Sequence, residues 1–159
     1  MKILIVSDTH RYHGYLESVL ENEKPLDMLI HLGDAEGCED YIEVMAECPM
    51  EVVAGNNDFY SDLPGERILQ IGKYRVLLTH GHYYYVNGGL SHIKRAIDEK
   101  EVDIVMFGHT HKPIIEQYKN ATILNPGSIS YPRQEGRQPS YIVMNLDEDG
   151  KAYFTIEYL

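Results

Sequence analysis

Short apolar runs, each closed by Gly, Asn, Asp or Thr, punctuate this chain, and their periodicity alternates between strand-like and helix-like. KILIVS (2–7) is almost continuously apolar, as expected of a strand covered on both faces. GYLESVLENEK (14–24) instead puts Leu16, Val19 and Leu20 on one helical face. DMLIHLGD (27–34) predicts a second strand and EVVAG (51–55) a third. Between them, CEDYIEVMAEC (38–48) spaces Tyr41, Ile42, Val44 and Met45 as an amphipathic helix.

The second half has a different rhythm. RILQI (67–71), a Gly-Lys turn and YRVLLT (74–79) predict a hairpin. LSHIKRAIDEK (90–100) predicts a helix with Ile93, Ala96 and Ile97 inward, and DIVMFG (103–108) another buried strand. IIEQY (114–118), ATILN (121–125), SYIVMNL (140–146) and AYFTIEYL (152–159) then read as antiparallel strands joined by short turns such as Lys-Asn and DEDG. Helices alternating with strands early, and strands dominating late, predict two stacked sheets flanked by helices in a single domain, 1–159.

The residues just past these runs change the picture. Asp8-Thr9-His10 follow the first strand, Asp34 the second and Asn56-Asn57-Asp58 the third. His80-Gly81-His82 and His109-Thr110-His111 close two later ones. In α/β sheets, ligands bind at the carboxyl ends of strands, so side chains spread over a hundred residues can converge on one crevice. Carboxylate, carboxamide and imidazole without thiolate suit Mn, Fe, Zn, Co or Ni, and there are too many donors for one tetrahedral ion. A carboxylate flanked by histidines suits two ions about 3.5–4 Å apart. Gly33, Gly55, Gly81 and Gly108 beside the donors allow tight turns and close backbone approach.

Composition narrows the partners. A formal net charge of −11 argues against a broad nucleic-acid surface, although bound cations would let an acidic chain hold an anion. Cys38 and Cys48 are too far apart for a C-x-x-C pair and read as free thiols of a reducing compartment. The N-terminal run is too short for a signal peptide, and no segment approaches membrane-spanning length, so a cytoplasmic protein without membrane contacts is expected.

SDTH, LGD, GNND, THGH and GHTH, in this order, resemble the five motifs of the calcineurin-like metallophosphoesterase superfamily. The short chain and NPGSISYPR (125–133) narrow the likeness to the small prokaryotic phosphodiesterases of the YfcE type. The resemblance covers essentially the whole chain and implies a four-layer α/β/β/α sandwich of two mixed sheets flanked by helices. It implies two divalent ions, Mn foremost, with Ni, Fe, Zn or Co as alternatives. Carried over by motif, Asp8, His10, Asp34 and His111 hold the first ion. Asp34, Asn56, His80 and His109 hold the second, with Asp34 bridging. The implied reaction is in-line attack of a metal-bridging hydroxide on a small phosphodiester.

Asn57 departs from the pattern, standing where many members have a histidine near the leaving group. An amide cannot hand a proton to an alkoxide, and a general acid is typically worth about 10²–10⁴-fold. Diesters with good leaving groups are therefore expected to outrun alkyl monoesters. Asn57, Asp58 and His82 are the candidate catalytic residues, and Asn57, His82 and Arg133 the candidate substrate contacts. For His82 three readings stay open: a donor behind a ligand, a substrate contact, or a satisfied polar residue. His31, inside an apolar run, reads as a hydrogen-bonded core histidine or one behind a ligand. HYYYVNGG (82–89) offers either an aromatic lip or ordinary tyrosine packing, and Ser128 joins Arg133 as a candidate facing the phosphate. Two alternatives compete with a diesterase: a non-catalytic scaffold like the related retromer subunit, and a monoesterase. Edge strands in the C-terminal half would support a homodimer.

Overall fold

The computed structural model describes all 159 residues. Its strands are β1 (Lys2–Val6), β2 (Met28–His31), β3 (Met50–Val52), β4 (Glu66–Ile71), β5 (Tyr74–Thr79), β6 (Ile104–Met106), β7 (Pro113–Tyr118), β8 (Ala121–Pro126), β9 (Ser140–Leu146) and β10 (Ala152–Tyr158). Its α-helices are α1 (Gly14–Glu23), α2 (Glu39–Ala46) and α3 (Ser91–Lys100). They form two five-stranded mixed sheets, ordered β10-β9-β1-β2-β3 and β4-β5-β6-β8-β7.

Alternation along β1 explains the layering, because successive side chains of a strand face opposite ways. Ile3 and Ile5 point between the sheets and meet Ile30, Ile71, Val76, Leu78, Ile104, Met106 and Leu124. Leu4 and Val6 point outward onto Leu16, Val19 and Leu20 of α1 and Ile42 and Ala46 of α2. Across the molecule, Leu77, Val105, Phe107 and Ile123 of the second sheet meet Ile93, Ala96 and Ile97 of α3. The result is the expected α/β/β/α sandwich. Each fully buried aliphatic contributes roughly 1.5–3 kcal/mol.

Two local expectations change. Tyr41 and Val44 are exposed, and α2 buries only Ile42 and Ala46, since a helix of 8 residues brings down a single i, i+4 stripe. The late strands are not one antiparallel run. β7–β8 and β9–β10 are hairpins in different sheets, and β8 pairs parallel with β6. Residues 127–139 carry the chain from one sheet to the other. Short amphipathic strands do not encode which sheet they join.

Parallel pairing sets up the site. β1, β2 and β3 run parallel in the first sheet, and β5 and β6 in the second. Their carboxyl ends lie at the same edge of the sandwich, and every candidate ligand leaves from there.

Candidate metal centre

Five of the seven candidate ligands have left-handed backbone: Asp8 (φ 57°), His10 (φ 44°), Asp34 (φ 58°), His109 (φ 66°) and His111 (φ 57°). Asp, Asn and His are the non-glycine residues that best tolerate this region, and its occurrence in clusters marks functional sites. Each strand ends in an abrupt turn that throws its side chain into the shared crevice.

Two carboxylates lie at the centre. Asp8 Oδ1 is 3.1 Å from His111 Nε2, 3.8 Å from His10 Nε2 and 3.8 Å from His80 Nε2. Asp34 Oδ2 is 3.7 Å from His10 Nε2 and 3.5 Å from His80 Nε2, between the two halves of the cluster. Ligand atoms of Asp8, His10 and His111 form one group within 4.8 Å, and those of Asp8, Asp34 and His80 another. Asn56 Oδ1 joins the second half, 3.1 Å from His80 Nε2. The His109 ring is 5.1 Å from that of His80, and its Nε2 lies 2.9 Å from the Asn87 side-chain amide nitrogen.

The back of each ring is tied down. His80 Nδ1 donates to Leu32 O at 2.7 Å, and His111 Nδ1 to Tyr131 O at 2.6 Å. His10 Nδ1 meets Glu36 Oε1 at 2.7 Å. Such bonds fix the tautomer and leave Nε2 as the free donor, the arrangement typical behind metal-binding histidines.

Asp8 is completely buried, yet its Oδ1 has no hydrogen-bond partner. Burial opposes its ionisation, but the adjoining imidazoles of His111 and His80 outweigh this and hold the carboxyl down at about 2. A buried, ionised, unpartnered oxygen facing three imidazole nitrogens needs a cation, which a divalent ion supplies. The donor set therefore fits bound metal, with Asp8 common to both groups of ligand atoms.

Three glycines make this density achievable. A Cβ on Gly55 would lie 2.1 Å from Asp34 Oδ1, and one on Gly108 would lie 2.0 Å from Ser7 Oγ. Gly33, at φ +97°, would put a Cβ 2.8 Å from His80 Nδ1.

The other predicted residues separate by role. Both oxygens of Asp58 are occupied: Oδ2 accepts Asp34 N–H and Gly55 N–H at 2.8 and 2.7 Å, and Oδ1 accepts Glu36 N–H at 2.6 Å. Expected among the catalytic residues, Asp58 instead positions two ligand loops. Asn57 donates to Asp34 through both its backbone N–H (2.8 Å to Oδ1) and its side chain (2.6 Å to Oδ2). His82 lies 5.4 Å from the His80 ring and against Tyr83 at 4.0 Å. Its Nδ1 is buried without a partner, and burial, then His80 and His109, push its pKa down. The satisfied-residue reading of His82 is therefore set aside.

Ser128 is buried with its hydroxyl donating to Asp8 O at 2.8 Å, so it supports the floor rather than facing a phosphate. Arg133 is exposed, and its N–H donates to His111 O at 3.0 Å. His31 is fully buried, with Nδ1 accepting Gly33 N–H at 3.2 Å and Nε2 3.1 Å from Thr9 Oγ1. In the tyrosine run, Tyr83 and Tyr85 are exposed, while Tyr84 donates to Glu66 Oε2. Sequence reasoning missed Glu36 and Asn87. Only their proximity in the fold identifies them: Glu36 lies just past Asp34, and Asn87 in a short 3-10 turn, Val86–Gly88.

A profile of the calcineurin-like phosphoesterase superfamily domain matches residues 1–149. A Bacillus subtilis relative named "Probable metallophosphoesterase YsnB" is 34% identical over 152 residues, covering 94% of this chain and 86% of its own. "Phosphodiesterase MJ0936" of Methanocaldococcus jannaschii is 28% identical over 145 residues, covering 80% and 83%. Among solved structures, a predicted phosphoesterase from Streptococcus pneumoniae superposes with a TM-score of 0.83 at 29% identity, over 99% of this chain and 88% of that one. A Vps29 mutant from Entamoeba histolytica, at 22% identity, shares the fold with a TM-score of 0.79 over 100% and 99%.

Proposed function

The chain belongs to the calcineurin-like phosphoesterase superfamily, and on that premise we propose that it hydrolyses phosphodiesters with two divalent metal ions. The observation that carries this reading is the unpartnered Asp8 Oδ1 facing His10, His80 and His111. Asp8, His10, Asp34 and His111 would hold one ion, and Asp34, Asn56, His80 and His109 the other. Bound there, the ions supply positive charge for the phosphoryl oxygens and a water acidic enough to attack phosphorus near neutral pH.

The chain's own groups set the preference. Asn57 holds the shared carboxylate through its side-chain amide. It has no acidic proton for a departing alkoxide, so the leaving group must be stable as an anion. His82 lines a cleft with Asn56 and Tyr83 beside His80, where its ring would meet the substrate. The sharing of a phosphodiesterase name by one relative supports the diester assignment, and the −11 net charge favours a small substrate over a nucleic-acid lattice.

The test is a screen of chelator-stripped protein reloaded with Mn²⁺, Ni²⁺, Fe²⁺, Zn²⁺ or Co²⁺ against bis(p-nitrophenyl) phosphate, cyclic nucleotides and p-nitrophenyl phosphate. Diester turnover should exceed monoester turnover, and Asn57→His should shift the ratio toward monoesters by roughly tenfold or more. A monoester preference in the parent protein refutes the diester assignment. A metal-replete protein inert to every ester points to the scaffold reading.

A further inference from the structure

The two flanks of the metal cluster differ in charge. On the Asn57 side, a cleft of about 410 Å³ contains Arg11, but also Glu36 and Glu39. Arg11 is committed there, with Nε donating to Glu36 O at 3.1 Å and lying 3.8 Å from Glu36 Oε2. On the opposite side, an open cleft of about 680 Å³ is lined by His10, His111, Tyr131, Pro132, Arg133 and Arg137 and by no carboxylate. Arg133 and Arg137 are exposed and form no salt bridge, unlike Arg67, which holds Glu51 at 2.6 Å. In a chain of net charge −11, two unpaired guanidiniums beside the metal cluster need an explanation.

The cleft is also built, because its backbone is fastened to the ligand loop. His111 Nδ1 donates to Tyr131 O at 2.6 Å, and Arg133 N–H donates back to His111 O at 3.0 Å. Arg137 follows Gly136 (φ 79°) in a turn closed by Arg137 N–H to Gln134 O at 3.1 Å, and is itself left-handed at φ 46°. That turn returns Arg137 to the same cleft as Arg133. Lys112, also without a salt bridge, continues the positive surface into a neighbouring groove that Arg133 shares.

We infer that the Arg133–Arg137 cleft is a second anion subsite, and that the preferred substrate is a phosphodiester whose retained half bears an additional phosphate. This rests on the diesterase reading for the scissile bond but not for the anion site itself. The metal cluster takes the scissile phosphate, and the two guanidiniums take the second one, for which their planar N–H forks are suited. The Asn57 flank, with Glu36 and Glu39, is left for the leaving group.

Two chromogenic diesters with the same scissile bond isolate the effect: thymidine 5′-(p-nitrophenyl phosphate) with a free 3′-hydroxyl, and the same compound with a 3′-phosphate. In metal-loaded protein the 3′-phosphate should raise kcat/KM roughly five- to tenfold, mainly through KM. Arg133→Ala/Arg137→Ala should bring that ratio to about 1, and Arg137→Lys should retain part of it. Raising ionic strength should shrink the ratio. Calorimetry with thymidine 3′,5′-bisphosphate against thymidine 5′-monophosphate supplies a readout that needs no turnover, with the same preference expected and the same loss in the double variant. Equal handling of both members of each pair, or a preference untouched by the double variant, overturns the subsite. Differential binding without any diester turnover would uphold the subsite and refute the diesterase reading instead.

Discussion

The floor of the site and its rim are built on opposite principles. On the floor, Asp8 and His80 are fully buried, Asp34 is 1% exposed, and each imidazole of His10, His80 and His111 is tied from behind. At the rim, Tyr60 is fully exposed and Phe59, Tyr83 and Tyr85 are mostly exposed, while Arg133 and Arg137 make no salt bridge. The floor tolerates one geometry and so dictates a reaction. The rim is held mostly by its backbone and is free to specify a substrate. Substitutions should reflect this contrast, with large, metal-linked effects below and small, substrate-linked effects above.

The largest effect is expected from Asp34→Ala, which removes the carboxylate between the two halves and the acceptor of both Asn57 hydrogen bonds. Metal analysis and a diester assay should find neither bound ion nor turnover. Activity retained in this variant would remove the bridging role.

Next come the glycines. Gly55→Ala and Gly108→Ala force a Cβ to 2.1 Å from Asp34 Oδ1 and 2.0 Å from Ser7 Oγ, with little room to relax. Each should cost about 1–3 kcal/mol in denaturant melts and weaken metal binding about tenfold or more. Gly88, near the rim, has nothing within 4 Å of a built Cβ, and Gly88→Ala should be neutral within about 0.5 kcal/mol. Similar costs at all three positions would erase the distinction between floor and rim.

A smaller effect concerns pH. Burial pushes the His31 imidazole down to about 4, and the carboxylates of Asp58 and Asp8 only partly offset this. The unfolded chain takes up this proton near pH 6.5, whereas the folded chain waits until about 4. The unfolded state thus binds more protons between these values, and stability falls as pH drops through that window. For chelator-treated protein, His31 should account for a loss of about 2 kcal/mol between pH 7 and pH 5. The measurement is the slope difference between the parent and His31→Gln, which should be flatter. Parallel slopes would assign the acid sensitivity elsewhere.

The smallest effects belong to the aromatic rim. Tyr83→Ala and Phe59→Ala should leave stability within about 0.5 kcal/mol and metal stoichiometry unchanged, while KM rises about two- to fivefold. A loss of bound metal in either variant would mean that the rim supports the floor.

What could be read from the sequence follows the same division. The strand-end donors were legible because each comes directly after an apolar run, and parallel pairing must bring such positions to one edge. The layers were legible because Leu16, Val19 and Leu20, and Ile93, Ala96 and Ile97, keep helical spacing. The bonds that orient the rings were not legible, since two acceptors are backbone carbonyls, of Leu32 and Tyr131, which no side-chain pattern encodes. Asp58 belonged to a recognisable motif, yet only the fold shows that its oxygens face backbone N–H groups. Nor could the pattern reveal that residues 127–139 cross between the sheets and bring Arg133 and Arg137 beside His111.

The most direct test of a two-ion centre is a titration of chelator-stripped protein with Mn²⁺ while diester hydrolysis is followed, at protein concentrations well above the dissociation constants. Turnover should rise until two equivalents per chain are bound and then stay level. Saturation at one equivalent, or full hydrolysis before any ion is added, would contradict it.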